Sequence, residues 1–121
     1  MTVGEVRNIL NAGVLCGQDL LDVTEIKSAC GADMMSDVLA FVKDQGMLLT
    51  GLTNPQVVRT AEMMDINCIV FVRGKTPDPS VVRLADDKRI ILLTTEERMY
   101  PACGKLYRAG LSEGSSGKAT A

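Results

Sequence analysis

The sequence predicts an α/β domain of three layers, α/β/α, with helices on both faces of a mixed, mainly parallel sheet of about five strands. Three observations carry this expectation. Met47–Lys75 reads as strand, turn, helix, strand, turn: Met47-Leu48-Leu49-Thr50 is apolar and stops at Gly51, Asn54-Pro55 supplies an N-cap and a proline at the first helical position, and Cys68–Val72 is an unbroken β-rich run. The pattern then repeats, because Asp78-Pro79 opens another helix and Ile90–Leu93 makes another apolar strand, which gives β-α-β-α-β-α from residue 47 onward. Finally, Cys68–Val72 is apolar at every position rather than at alternate ones, the mark of a strand covered on both faces.

Taken in order, Thr2-Val3-Gly4-Glu5 has the form of a capping box, and Val3, Val6, Ile9 and Leu10 follow at helical spacing, so a first helix is expected over Val3–Asn11. Val14-Leu15-Cys16 is a short strand, and Gly17-Gln18-Asp19 opens a turn. Val23–Ala29 alternates well enough to predict a strand with one wet face near an edge of the sheet. Cys30-Gly31-Ala32-Asp33 breaks that pattern. Ser36 or Asp33 then caps a helix carrying Met35, Val38, Leu39 and Val42, with its end at residues 43–46. In the third helix, from Pro55, the residues Val57, Val58, Ala61 and Met64 form one apolar face, and in the fourth, from Pro79, Val81, Val82, Leu84 and Ala85 do so. Thr94-Thr95 closes the last strand, and Glu96-Glu97 suits the positive end of a final helix running to about Ala109. Residues 1–111 form a single domain on this reading, and 112–121, small, polar and Gly/Ser-rich, form a disordered tail.

Composition narrows the chemistry. The 121 residues carry 13 basic and 15 acidic side chains, a net charge of −2 with the signs interspersed, so neither nucleic acid nor an anionic membrane finds an electrostatic footprint. There is no histidine, which removes the commonest general base, the usual zinc and haem ligand and every Ser/His or Cys/His nucleophile pair. Four well-separated cysteines without metal-ligand spacing suit free thiols in a reducing, cytoplasmic setting. No signal peptide or membrane span is expected.

Residues Leu48–Leu111, with LLTGLTNPQVVRTAEMMDINCIVFVRG, then PDPSVVRLADDKRIILLTT, then a closing helix containing ACGKLYRAGL, resemble the DRTGG domain family. That family is similar to the amino-terminal domain of bacterial HPr kinase/phosphorylase, a three-layer α/β/α fold, and stands beside CBS domains in regulated pyrophosphatases. The resemblance implies a regulatory module rather than an enzyme. The Asp-Arg of the family's name is replaced here, after Gly51, by Leu52-Thr53-Asn54-Pro55. No G-x-x-x-x-G-K-[ST] stretch exists to hold nucleotide phosphates, so kinase activity is not part of the implication.

Ligands of open α/β sheets gather at the carboxyl ends of the strands. Thr50, Gly51, Thr53 and Asn54 follow one strand, Arg73 and Gly74 the next, and Thr94 and Thr95 the third, so these residues form the candidate ligand site, with Arg73 as the charge an anion would need. The plainer alternative is that Gly51 makes a turn, Asn54 and Thr95 cap helices, and Arg73 is a solvated turn residue. Ala29-Cys30-Gly31 and Ala102-Cys103-Gly104 are matching tripeptides, which read as packing rather than as a metal site. Asp33 and Asp37 read as helix-start carboxylates without a catalytic role. Met34-Met35 and Met63-Met64 are adaptable apolar surface or core filler, Met63 lying off its helix's apolar stripe. The expected function is a non-catalytic regulatory or ligand-sensing module that binds a small anionic metabolite or nucleotide, forms a homodimer and signals to a partner protein. The alternatives are a structural interaction domain or an enzyme of another class. No cofactor, metal or catalytic residue is expected.

Overall fold

The computed structural model describes residues 1–41 and 46–111. The expected helix end at residues 43–46 lies largely outside them, and the expected disordered tail wholly so. Among the described residues five α-helices and five strands follow in the order α1 (Val3–Leu10), β1 (Gly13–Cys16), β2 (Ala29–Gly31), α2 (Met35–Phe41), β3 (Met47–Thr50), α3 (Pro55–Met63), β4 (Cys68–Phe71), α4 (Pro79–Asp87), β5 (Ile91–Thr94) and α5 (Met99–Arg108), with one 3-10 turn at Gln18–Leu20 after β1. They build one mixed sheet of order β1-β5-β4-β3-β2, in which β1 runs antiparallel to β5 and the other neighbours are parallel.

The pleat explains the three layers. Along β3 and β4, Met47, Leu49, Cys68 and Val70 face one core with Val3, Val6 and Leu10 of α1 and Ala102 and Leu106 of α5. Their sequence neighbours Leu48, Ile69 and Phe71 face the second core, with Val57, Val58 and Ala61 of α3 and Val81 and Ala85 of α4. Every residue of β3 and β4 is buried, as a doubly covered strand requires. The helices α2, α3 and α4 all pack on one side, whereas α5, which follows the last strand, packs on the other. The connections leaving β4 and β5 therefore diverge, which is the arrangement that opens a crevice at strand ends.

Several expectations are borne out in detail. Thr2 and Glu5 form the reciprocal capping box of α1, and prolines stand at the first turns of α3 and α4. Others need correction. The expected strand Val23–Ala29 is not formed until its last residue: Val3 N–H donates to Thr24 O at 3.0 Å, Ile26 N–H donates to Met1 O at 2.7 Å, and an isolated bridge joins Thr2 to Glu25. The chain's first residues thus take up the backbone groups a sheet neighbour would have used. The strand comes later, at Ala29–Gly31, where the sequence suggests a break. Asp33 stands two residues before the start of α2 and binds the end of β3. Glu96 and Glu97 precede α5 rather than opening it, with Arg98 at the N-cap position. Among the described residues no helix is long and apolar enough to cross a membrane.

Candidate functional site

Thr50, Phe71 and Thr94 are paired across β3, β4 and β5, so the three following connections emerge side by side at one edge of the sheet. The first is held from an unexpected quarter. The Asp33 carboxylate, just past the end of β2, accepts Gly51 N–H at 2.7 Å and the Thr50 hydroxyl at 3.2 Å through one oxygen, while Thr50 Oγ1 accepts Leu52 N–H at 3.1 Å. The Gly51 N–H that the sequence offers to an anion is therefore already bonded to a carboxylate. Beyond it, Asn54 occupies the N-cap position of α3 with extended backbone (ψ 165°), yet its side chain makes no capping bond. Asn54 is exposed and Thr53 half-buried.

Arg73 has the most unusual backbone at this edge. Lys75 N–H donates to Val72 O at 3.2 Å, closing a four-residue turn whose central residues, Arg73 and Gly74, both have positive φ, 62° and 68°. Such a turn favours Asn-Gly or Gly-Gly, because a left-handed conformation costs an ordinary side chain about 1–2 kcal/mol. The other non-glycine residues with positive φ, Asn11, Asp65 and Arg89, all close helices. Arg73 instead follows a strand, two residues past the end of β4, and its guanidinium lies over Gly51. A methyl at Gly51 would stand 2.8 Å from the Arg73 Cζ, so the guanidinium keeps this position only while residue 51 is glycine and would have to move aside for a larger residue. Arg73 is exposed and makes none of the ion pairs found among the described residues.

The connections after β4 and β5 are laced together. Arg73 N–H donates to Glu97 O at 2.7 Å and Gly74 N–H to Thr95 O at 2.8 Å. The Thr94 hydroxyl donates to Lys75 O at 2.8 Å. Thr95 turns away from the others: its buried hydroxyl donates to Leu10 O at 2.9 Å and accepts Glu97 N–H at 3.3 Å. It neither caps α5 nor joins the candidate site. Gly74 packs against the Glu96 carboxylate, and Glu97 pairs with Lys105, so acidic side chains stand beside the Arg73-Gly74 turn. On the α1 side of the same edge, a cavity of about 310 Å³ is lined by Leu10, Asn11, Thr95, Glu96 and Glu97 and is unsuited to an anion.

Thr50, Gly51 and Arg73 are thus brought together, with Thr53 and Asn54 beyond them. Thr94, Thr95 and Gly74 are engaged in holding backbone. Asp33 is the residue sequence reasoning missed. The acidic–basic pair that the chain lacks after Gly51 is assembled around that glycine in space, from Asp33 and Arg73. Its signal in the sequence is its position, one acidic residue shortly after an edge strand, but the alternation predicts that strand over Val23–Ala29, ahead of its true place at Ala29–Gly31.

The two matching tripeptides also converge. Cys30 and Cys103 line one cavity of about 150 Å³ between β2 and α5, together with Ala29, Gly31, Leu49 and Leu106. Burial pushes both thiols up, with the neighbouring Cys103 adding to the effect on Cys30, so they are weak nucleophiles. All four cysteines are unpaired, and no group of three or more His, Cys, Asp or Glu side chains that could hold a metal occurs among the described residues.

Comparison with known proteins follows the fold. The DRTGG domain family model matches residues 5–109. Among solved structures, the chain is similar to the CBS and DRTGG domains of the regulatory region of Clostridium perfringens pyrophosphatase, determined in complex with the activator diadenosine tetraphosphate. The TM-score is 0.69 and the sequence identity 14%, over 87% of this chain and 45% of that one. This chain therefore spans less than half the length of that structure. A search of the curated proteins found no match.

Proposed function

The chain belongs to the DRTGG domain family, and on that premise we propose that it is a non-catalytic, cytoplasmic regulatory module that senses a small anionic metabolite or nucleotide and passes its state to a partner protein. The ligand sits at the carboxyl edge of β3 and β4, with Arg73 as its principal contact and Thr53 and Asn54 beside it. One observation carries this reading. An exposed arginine is held in a left-handed turn, where glycine or asparagine would be cheaper, and its guanidinium is laid over a glycine that leaves it room. Strain of this kind is retained where surrounding structure and use require it. A guanidinium so placed offers a phosphate or carboxylate two parallel hydrogen bonds.

Asp33 shapes the same site. Its carboxylate spends one oxygen on Gly51 and Thr50, fixing the loop under Arg73, and its charge disfavours an anion deep against β3. The anion belongs on the outer side, toward the start of α3, whose N-terminus adds a modest attraction. The solved regulatory region bound to a nucleotide activator supports the general class of ligand, and the absence of histidine and of a phosphate-binding loop in the sequence supports a non-catalytic role. Self-association as a homodimer is part of the same reading.

Thermal unfolding of the full chain in the presence of inorganic phosphate, AMP, ATP and diadenosine tetraphosphate tests it. A ligand at a hundredfold excess over its Kd stabilises the native state by about 2.7 kcal/mol, which is easily seen as a higher midpoint. No shift with any of the four would favour the structural interaction domain instead.

A further inference from the structure

Among the described residues, α5 and the strand beside it leave a surface uncovered. β2 ends the sheet, and its backbone alternates: Ser28 O accepts Met47 N–H and Ala32 N–H donates to Leu49 O on the β3 side, so the N–H and C=O groups of Ala29 and Gly31 point away from the sheet. α5 lies against this edge. A methyl on Gly31 would stand 2.9 Å from Cys103 Sγ and 3.0 Å from Met99 Sδ. Along α5, Tyr100 and Tyr107 are 90% and 67% exposed, and Gly104 between them has nothing within 4 Å of where a side chain would start. Spacings of four and then three place the three residues on one stripe of the helix.

We propose that this face, the β2 edge together with the Tyr100–Gly104–Tyr107 stripe, joins a second copy of the chain about a two-fold axis perpendicular to the sheet. The inference deepens the self-association named above and does not depend on the ligand. The stripe is its own reverse. Tyr100 and Tyr107 are equidistant from the midpoint between Cys103 and Gly104, so two antiparallel copies of α5 set each Tyr100 against the other's Tyr107, and Gly104 lets the helices approach closely. The strand obeys the same axis. A two-fold at Cys30 pairs Ala29 with Gly31 of the second copy, and their outward N–H and C=O groups then satisfy one another across a sheet continuous through both copies. Cys30 and Cys103 line one cavity, which sets the middle of the strand beside the middle of the helix stripe.

Charge and area agree. The stripe carries no charge. At its end Arg108, which makes none of the ion pairs found among the described residues, comes to lie near the start of the second copy's α5, where Glu96 and Glu97 stand. A buried tyrosine withdraws about 150–250 Å² from water. The two at these exposures supply a large share of the roughly 800 Å² per partner of a stable interface, and the edge backbone of β2 adds to it.

Sedimentation of the full chain at high micromolar concentration tests the proposal. A dimer is expected, weakened at least tenfold by either Tyr100→Asp or Tyr107→Asp. Both positions are exposed, and circular dichroism confirms that the fold is kept. The pairing also sets the two Cys30 residues opposite each other at a Cα separation of about 4.5 Å, within disulfide reach. Diamide takes two electrons and two protons from a thiol pair, so it should yield a covalent dimer that mass spectrometry maps to a Cys30–Cys30 bridge and that Cys30→Ser abolishes. A dimer indifferent to both tyrosine changes and without that bridge overturns this surface while leaving the homodimer intact. A monomer at every concentration overturns both.

Discussion

Replacing Asp33 by alanine removes the acceptor that fixes the first loop of the candidate site. Its Oδ1 takes Gly51 N–H at 2.7 Å and the Thr50 hydroxyl at 3.2 Å, and both donors belong to buried residues. Hydrogen bonds to a charged partner contribute about 1.5–3 kcal/mol each, and a buried donor left without an acceptor costs about 1–3 kcal/mol. Asp33 itself is exposed, so water can enter in its place and a large part of that sum is recovered. The expected loss is about 2 kcal/mol, or roughly 8 °C in the midpoint for a domain of this size. Asp33→Asn keeps an acceptor of the same shape and should restore about half of it. Urea unfolding followed by circular dichroism measures both variants, with the slope of the transition checked for constancy. An Asp33→Ala variant within about 0.5 kcal/mol of the parent, the range of an ordinary surface substitution, would refute the claim that this carboxylate organises the sheet edge.

Gly51→Ala should cost under about 1 kcal/mol, because the group it meets is the far end of a flexible arginine, yet it should lower affinity for the site's anion as much as losing Arg73 does; unfolding and calorimetry on the same variant separate the two effects. Thr95→Val leaves the Leu10 carbonyl without its donor in a buried place and should destabilise by about 1–3 kcal/mol, measured by urea unfolding, with no effect on ligand affinity. Burial pushes the Cys68 thiol up, so the native chain keeps a proton that the unfolded chain releases above about pH 8.5. Its contribution is complete below that pH and falls by about 1.4 kcal/mol per pH unit above it. Unfolding measured at successive alkaline pH values should show the fall to be shallower in Cys68→Ala.

The parallel half of the fold was legible because its signals are local and strong. Asn54-Pro55 and Asp78-Pro79 mark helix starts by the chemistry of proline, and the fully apolar β3 and β4 follow from burial on both faces. The errors lie where distant contacts decide. Val23–Ser28 alternates like a strand, but the backbone of Met1–Val3 occupies its hydrogen bonds, a pairing that no local pattern announces. Glu96-Glu97 has the composition of a helix start, yet Glu97 O and Thr95 O are drawn into accepting from the Arg73-Gly74 turn, which delays α5. At the site, Thr50, Gly51 and Arg73 were readable as strand-end residues. Asp33 was not, because its partners are 17 and 18 residues away and come near only when β2 and β3 pair. The left-handed conformation of Arg73 was half legible, since Arg-Gly after a strand marks a turn without giving its hand.

The most direct measurement is a calorimetric titration of the parent chain and of Arg73→Ala with whichever of inorganic phosphate, AMP, ATP and diadenosine tetraphosphate raises the unfolding midpoint most. Alanine keeps the non-glycine character of the turn, so the fold should change little, while loss of a charged hydrogen-bonding contact should weaken binding by about 1.5–3 kcal/mol, roughly ten- to a hundredfold. Undiminished affinity in a fully folded Arg73→Ala chain would contradict the account and leave the arginine as a solvated turn residue.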